Sequence, residues 1–350
     1  MANPHANHPP SFILHPRPIF IAGPTAVGKS AVALALAEKL GGEIISVDSM
    51  QVYLGLDIGT AKPSAAERAR VPHHLIDVAE LTEAFDAAKF VVLAQQAVME
   101  IQSRGHVPIF CGGTGLYFKA YLEGLGEAPP SDDKLRAELE ATPLAELLHE
   151  LEQRDPATFA KIDRSNPRRV VRAVEVIRLT GKPFSAQRAR WGEAPDEPNP
   201  SDGSRGRSPH QIIGLSRQSA DIHSRINARV DEMFALGLVE ETRRLLEHGL
   251  AQNKTAMQAI GYRQVVEHLR GERSLATTIE LVKIKTRQYA KRQMTWFRKY
   301  APARWIELAP TDSANAIVDI LNLNRVESIS PKSRSAHGTG LPHRRGIEIR

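Results

Sequence analysis

Residues Gly23, Pro24, Thr25, Ala26, Val27, Gly28, Lys29 and Ser30 fit the pattern GxxxxGK[ST] at every fixed position. The chemistry of such a loop is phosphate binding. Its backbone N–H groups surround the anion, the lysine adds a full charge, and the serine hydroxyl can ligate Mg²⁺. The pattern predicts a di- or triphosphate with Mg²⁺ at Ser30 and does not say which phosphate. The alternative is a glycine-rich turn that binds nothing.

Asp48, within Val-Asp-Ser-Met-Gln-Val-Tyr, is the next informative side chain. A carboxylate just past a strand end and near a phosphate site can ligate Mg²⁺ or accept a proton from an attacking nucleophile. An Asx turn would account for the same Asp-Ser pair. Gly112, Gly113, Thr114 and Gly115 form a second glycine loop, which lets backbone approach a ligand or merely reverses the chain. Cys111 beside it reads as a small buried residue, and His73 and His74 as structural.

These groups need elements to hold them. The apolar run at 19–22 reads as a strand and the Ala/Leu-rich stretch 31–40 as a helix, which is the context a phosphate loop requires. Further strands are expected at 43–47, 107–111 and 212–215, and a helix at 86–104. Strands alternating with helices describe a doubly wound parallel α/β sheet, whose ligands bind beyond the carboxyl ends of the strands. Ser30, Asp48 and Thr114 all follow strand ends, so one crevice can hold them.

From 129 the pattern becomes helical and charged, with breaks at Pro143, Pro156 and Pro167, up to a Gly/Pro/Ser-rich stretch at 192–209 expected to be a flexible loop. A helical insertion (129–209) within an α/β core (19–128 and 210–322) follows. Residues 1–18 read as an extension and 323–350 as a disordered basic tail.

Arg168, Arg169 and Arg172 cluster at a helix start, and Arg225 and Arg229 repeat at i,i+4. Residues 286–298 mix basic and aromatic side chains. Arginines on rigid elements grip phosphates, and basic residues among aromatics suit RNA. Solvated helix faces would look the same.

Net charge adds little. The chain carries +6, but 325–350 holds six Lys/Arg against two acids, +4 of the total, leaving about +2 for the rest. One cysteine excludes a disulfide framework and an all-cysteine metal site. No apolar run approaches a membrane span and no secretory h-region is seen, so a cytoplasmic protein is expected.

In order, the segments GPTAVGKS, ISVDSMQVY, LDIGTAKP, PHHLIDV, GGTGLYFKA, NPRRVVRAVEV, GKP at Gly181, AIGYRQ at Ala259 and TRQYAKRQMTWFRK run from about residue 19 to about 300. Together they resemble the bacterial tRNA dimethylallyltransferase, or tRNA isopentenyltransferase, family. The resemblance implies a P-loop nucleotide-kinase-like fold. It also implies transfer of a dimethylallyl group from dimethylallyl diphosphate to N6 of the adenosine 3′ to the anticodon of tRNA, with diphosphate released.

By the same resemblance the loop from Gly23 to Ser30 holds the diphosphate through Thr25, Lys29 and Ser30, with Mg²⁺ at Ser30. Arg229 pairs with the leaving group, although Arg225 is an alternative. Asp48 takes the proton of the N6 amine, and Thr114 lies near the target nucleotide. Contacts to the tRNA anticodon stem-loop are implied for Asp48, Ser49, Met50, Gln51, Thr114, Arg136, Arg168, Arg169, Val170, Val171, Arg172, Gln258, Ala259, Ile260, Gly261, Tyr262 and Arg263. Eukaryotic relatives add a zinc finger, which one cysteine excludes here. A monomer is expected, with no membrane partner. Two rivals remain at this point: a P-loop kinase for a small molecule, and an RNA-binding protein with a vestigial loop.

Overall fold

A computed structural model describes residues 16–125, 128–188, 211–301 and 303–321. The loop expected at 192–209, the tail at 323–350 and residues 1–15 of the extension lie outside these. In chain order the elements are β1 (Ile19–Ala22), α1 (Lys29–Leu40), β2 (Gly42–Val47), α2 (Ala65–Arg70), β3 (His73–His74), α3 (Ala87–Ser103), β4 (Val107–Gly112) and α4 (Gly115–Glu123). Then come α5 (Asp133–Ala141), α6 (Leu144–Arg154), α7 (Pro156–Lys161), α8 (Pro167–Thr180) and α9 (Phe184–Arg188). The chain returns through β5 (Gln211–Ser216), α10 (Ser219–Ala235), α11 (Leu238–Glu247), α12 (Tyr262–Leu269), α13 (Leu275–Tyr300), β6 (Arg304–Glu307) and α14 (Ala314–Leu321).

The strands form one parallel sheet in the order β3-β2-β4-β1-β5-β6. Both faces are covered, which is why the central strands are almost continuously apolar. Alternate residues serve opposite faces. Phe20, Ile45, Val47, Phe110 and Ile212 pack with α3, α4 and Phe297 of α13. Ile21, Ile44, Ile109 and Ile213 pack with α1 and α14. Each fully buried Val, Leu, Ile or Phe stabilises by about 1.5–3 kcal/mol relative to exposure.

Strand order also fixes where a ligand can sit. The chain leaves β1 toward β2 on one side, and leaves β4 toward β5 on the other. The crevice therefore opens between the carboxyl ends of β1 and β4, where the two glycine loops lie.

The helical insertion has its own core, formed by Leu139, Leu147, Leu151, Val170, Val171, Ala173, Val174 and Ile177. Its prolines start helices rather than merely interrupting them. Pro156 and Pro167 occupy the first turn of α7 and α8, behind caps from Asp155 and Asn166, where a missing N–H costs nothing. Two strands differ from expectation. His73 and His74, read only as structural with no strand expected there, pair with Ile44 and Ile45 as β3. At the other edge, β6 pairs with β5 although its four residues include Arg304 and Glu307, and so carry little apolar pattern.

Candidate active site

The glycine loop from Gly23 to Gly28 joins β1 to α1. Gly28 caps the helix in the left-handed region (φ 107), and Ala26 is also left-handed (φ 63), a conformation that costs a β-carbon residue energy. Gly23 is required by close approach, since a Cβ there would lie 2.6 Å from the Leu215 carbonyl oxygen. The loop's carbonyls are held from behind. Lys29 Nζ donates to the Pro24 carbonyl at 2.7 Å, Arg225 Nε to Ala26 at 2.8 Å and Arg217 Nε to Val27 at 2.8 Å. Gly23, Pro24, Ala26 and Val27 are buried, while Ser30 is exposed at the start of α1.

Burial lowers the Lys29 ammonium to about 8, with Arg229 adding to the effect and Asp48 opposing it. Burial, and then the neighbouring Arg225, also lower Arg229. Arg229 forms no salt bridge among the described residues; its Nη1 lies 3.5 Å from the Thr25 hydroxyl. The two arginines of α10 therefore divide their tasks. Arg225 braces the loop backbone, while Arg229 brings a cation to the loop's first hydroxyl.

Asp48 follows β2. Its Oδ1 accepts from the backbone N–H groups of Met50 (2.8 Å) and Gln51 (3.3 Å), so the Asx-type turn is present. Its Oδ2 has no hydrogen-bond partner among the described residues. Structural and chemical roles therefore coexist on one carboxylate. Thr114 follows β4, and its hydroxyl accepts from the Ser49 N–H at 3.2 Å, while its own N–H donates to Val47. Asp48, Ser49 and Thr114 thus form one wall.

Glycines let that wall close. A Cβ on Gly112 would lie 2.1 Å from the Val47 carbonyl oxygen, one on Gly113 2.2 Å from Gln293 Nε2, and one on Gly115 2.2 Å from Trp296. Cys111 is buried and burial pushes its thiol up to about 11, so it remains a protonated packing residue.

Several residues expected to meet RNA are engaged inside the protein. Gln51 Nε2 donates to the Thr60 and Ala61 carbonyls, and its Oε1 accepts from the Ser46 hydroxyl. Tyr262 is fully buried; its hydroxyl donates to Glu241 at 2.6 Å and accepts from the Gly59 N–H. Val170 and Val171 lie in the insertion core and Ala259 is buried, so these side chains do not reach a ligand surface. Ile260 is half-buried; Gly261 is buried, and its N–H donates to the Gln264 side-chain oxygen.

Arg172 and Arg136 converge on the buried Glu175, and Arg172 also donates to the Pro129 carbonyl. Arg168 donates to the Lys254 carbonyl, which links the insertion to the core. Arg169, Gln258 and Arg263 are exposed, Arg263 beside Glu267. Met50 is half-buried.

Sequence inspection missed Gln293. Its Oε1 accepts from the Thr25 N–H at 2.8 Å and its Nε2 donates to the Gly113 carbonyl at 2.8 Å. The available signal was a glutamine on the apolar stripe between Ala290 and Phe297.

At one crevice the parallel α/β sheet thus brings together a GxxxxGK[ST] loop, a carboxylate with one oxygen unpartnered among the described residues, and an arginine with no ion pair among them. Residues 51–300 match the IPP transferase family model. The chain is 46% identical over 295 residues to the tRNA dimethylallyltransferase of Geobacter metallireducens, covering 83% of this chain and 92% of that one. It is 47% identical over 283 residues to that of Halorhodospira halophila, covering 79% and 88%. Among solved structures, the full-length tRNA isopentenylpyrophosphate transferase of Bacillus halodurans superposes with a TM-score of 0.61 at 38% identity, covering 87% of this chain and 95% of that one. A eukaryotic dimethylallyltransferase acting on tRNA superposes with a TM-score of 0.67 at 29% identity, covering 83% and 74%. The chain belongs to the IPP transferase family.

Proposed function

We propose that the chain transfers the dimethylallyl group of dimethylallyl diphosphate to N6 of the adenosine 3′ to the anticodon in tRNA. The N6–C1 bond forms as the C1–O bond to diphosphate breaks, and the amine proton passes to Asp48. The observation that carries this reading is the pairing of a phosphate loop after β1 with a carboxylate oxygen left open after β2, two strands across the same sheet edge with β4 between them. A kinase reading uses the same loop. It leaves the match over residues 51–300 without an explanation.

The loop from Gly23 to Ser30 and the N-terminus of α1 receive the diphosphate, in the manner of a nucleotide-kinase-like P-loop. Lys29 regains its full charge against the anion, and Arg229 meets the charge that grows on the leaving oxygen. An exocyclic amine is a weak nucleophile, so its orientation by Asp48 and Thr114 matters as much as basicity.

Mg²⁺ fits the donor set. Ser30 offers an exposed hydroxyl beside the loop, and Mg²⁺ takes few protein ligands when phosphates supply the rest. When bound, the ion would neutralise diphosphate charge in both ground and transition states. No three His, Cys, Asp or Glu side chains converge into an all-protein cage among the described residues.

For the RNA, Arg169 and the backbone at the start of α8 offer a phosphate-binding edge, with Arg136, Arg168 and Arg172 behind it. Gln258 and Arg263 offer a second edge, and the wall of Asp48, Ser49 and Met50 faces the flipped base. The insertion would then be the anticodon-arm contact, and the single cysteine is consistent with work in the cytoplasm.

The test uses unmodified tRNA, Mg²⁺ and labelled dimethylallyl diphosphate beside an ATP control. Label in one anticodon-loop adenosine is the expected result. Unlabelled RNA with phosphate released from ATP would establish the kinase instead.

A further inference from the structure

We infer that Gln293 is a positioning residue that sets the spacing between the diphosphate loop and the loop carrying Thr114; the inference rests on the transfer reaction proposed above. The β1–β4 ladder ends at Ala22 and Gly112, so beyond it the two loops have no shared backbone bonds to keep their separation. Gln293 supplies the link. Its carbonyl takes the Thr25 N–H and its amide donates to the Gly113 carbonyl, each at 2.8 Å. One oxygen and one N–H donor are needed on the same side chain, a demand that glutamine meets and glutamate does not.

The bridge is rigid because its helix is rigid. Gln293 is 7% exposed, and Phe297 one turn on is fully buried against Phe118, with ring centroids 5.8 Å apart. Trp296 packs where a Cβ on Gly115 would lie. Burial at this depth leaves Gln293 no surface for RNA. What it holds lies one bond from the chemistry: Thr25 carries the hydroxyl beside Arg229, and Gly113 precedes Thr114. A change in this spacing alters the distance from leaving group to nucleophile without removing a ligand contact, so it acts on kcat. Misplacement by about 1 Å costs on the order of a hundredfold.

Gly113 offers an independent way to break the same bridge. A methyl group there would lie 2.2 Å from Gln293 Nε2, the far end of a flexible side chain, so the chain still folds while the amide is displaced. The full chain is assayed as wild type, Q293A, Q293E, G113A and Q293A/G113A, with unmodified tRNA and dimethylallyl diphosphate. Each single variant is expected to lose roughly a hundredfold in kcat, with both KM values within about threefold. The double variant should be no slower than Q293A, because the methyl enters space the glutamine has left. Q293E keeps the size of the side chain and guards against simple collapse.

Wild-type kcat in Q293E and Q293A, a loss confined to KM for tRNA, or multiplied losses in the double variant would overturn the inference. A wild-type chain that labels no tRNA would instead overturn the reaction on which it rests.

Discussion

The strand β2 carries a carboxylate near each end, and the two are treated oppositely. Glu43, at the amino end, is 2% exposed. Each of its oxygens has two partners: Arg104 Nε (2.9 Å) and His106 Nδ1 (2.7 Å) on one, Arg104 Nη2 (2.8 Å) and His74 Nε2 (2.7 Å) on the other. Burial pushes this carboxyl up, but the hydrogen bonds from Arg104, His74 and His106 outweigh it and hold it at about 2. Asp48, just past the carboxyl end, gives one oxygen to two backbone amides and keeps the other open. A saturated carboxylate contributes to stability, and a half-satisfied one keeps a lone pair for a substrate. The cations divide likewise: Arg172 is spent on Glu175, while Arg229 forms no salt bridge among the described residues.

The contrast is broken most directly by D48A. Transfer should fall by about 10²–10⁴ while tRNA binding holds, and loss of the turn to the Met50 and Gln51 amides should cost only about 1 kcal/mol of stability. Wild-type turnover in a filter-binding-competent D48A would refute the proton role. The mirror experiment is E43A, expected to destabilise by roughly 3 kcal/mol in urea unfolding, with turnover per folded molecule unchanged.

The sign for pH follows from Glu43 being more acidic when folded. Its contribution, about 3 kcal/mol from the shift, is present above the unfolded carboxyl range near 4.5 and lost as pH falls toward 2. Acid unfolding of wild type and E43Q should converge there.

Among the cations, R229Q should lower kcat by roughly 10²-fold. R225Q should cost only a few-fold, about one hydrogen bond to a loop carbonyl; equal losses would erase the proposed division between them. The last test concerns Lys29. Dimethylallyl diphosphate binds its charged form, so affinity should be level below about 8 and weaken above it, by up to tenfold per pH unit. Titration calorimetry from pH 7 to 9.5 measures this, and a flat profile would remove Lys29 from the binding account.

Local features were legible in the sequence. The phosphate loop, Asp48 and the Gly112–Gly115 turn each announce themselves within a few residues, because strand, turn and helix propensities act over that range. The strands at 19–22 and 107–111 and the helix capped by Asp86 appear nearly where expected. Long-range demands were not legible. Tyr262 looked like an RNA contact because its segment matches a motif, yet Glu241 and Gly59 hold it in the core. Val170 and Val171 stand beside three arginines but face Leu147 and Leu151. Edge strand β6 escaped because half its residues are charged. Gln293 escaped because its two partners lie 268 and 180 residues away.

That separation has a consequence for biosynthesis. Thr25 emerges from the ribosome long before Gln293, and at about 5–20 residues per second the interval is on the order of ten seconds to a minute. Throughout it, a nascent chain can own its phosphate loop, its acid and its glycine turn without the crosspiece that fixes their separation. Competence should therefore arrive late and abruptly, with the synthesis of α13, and products of premature termination before that helix should be inert toward both substrates together.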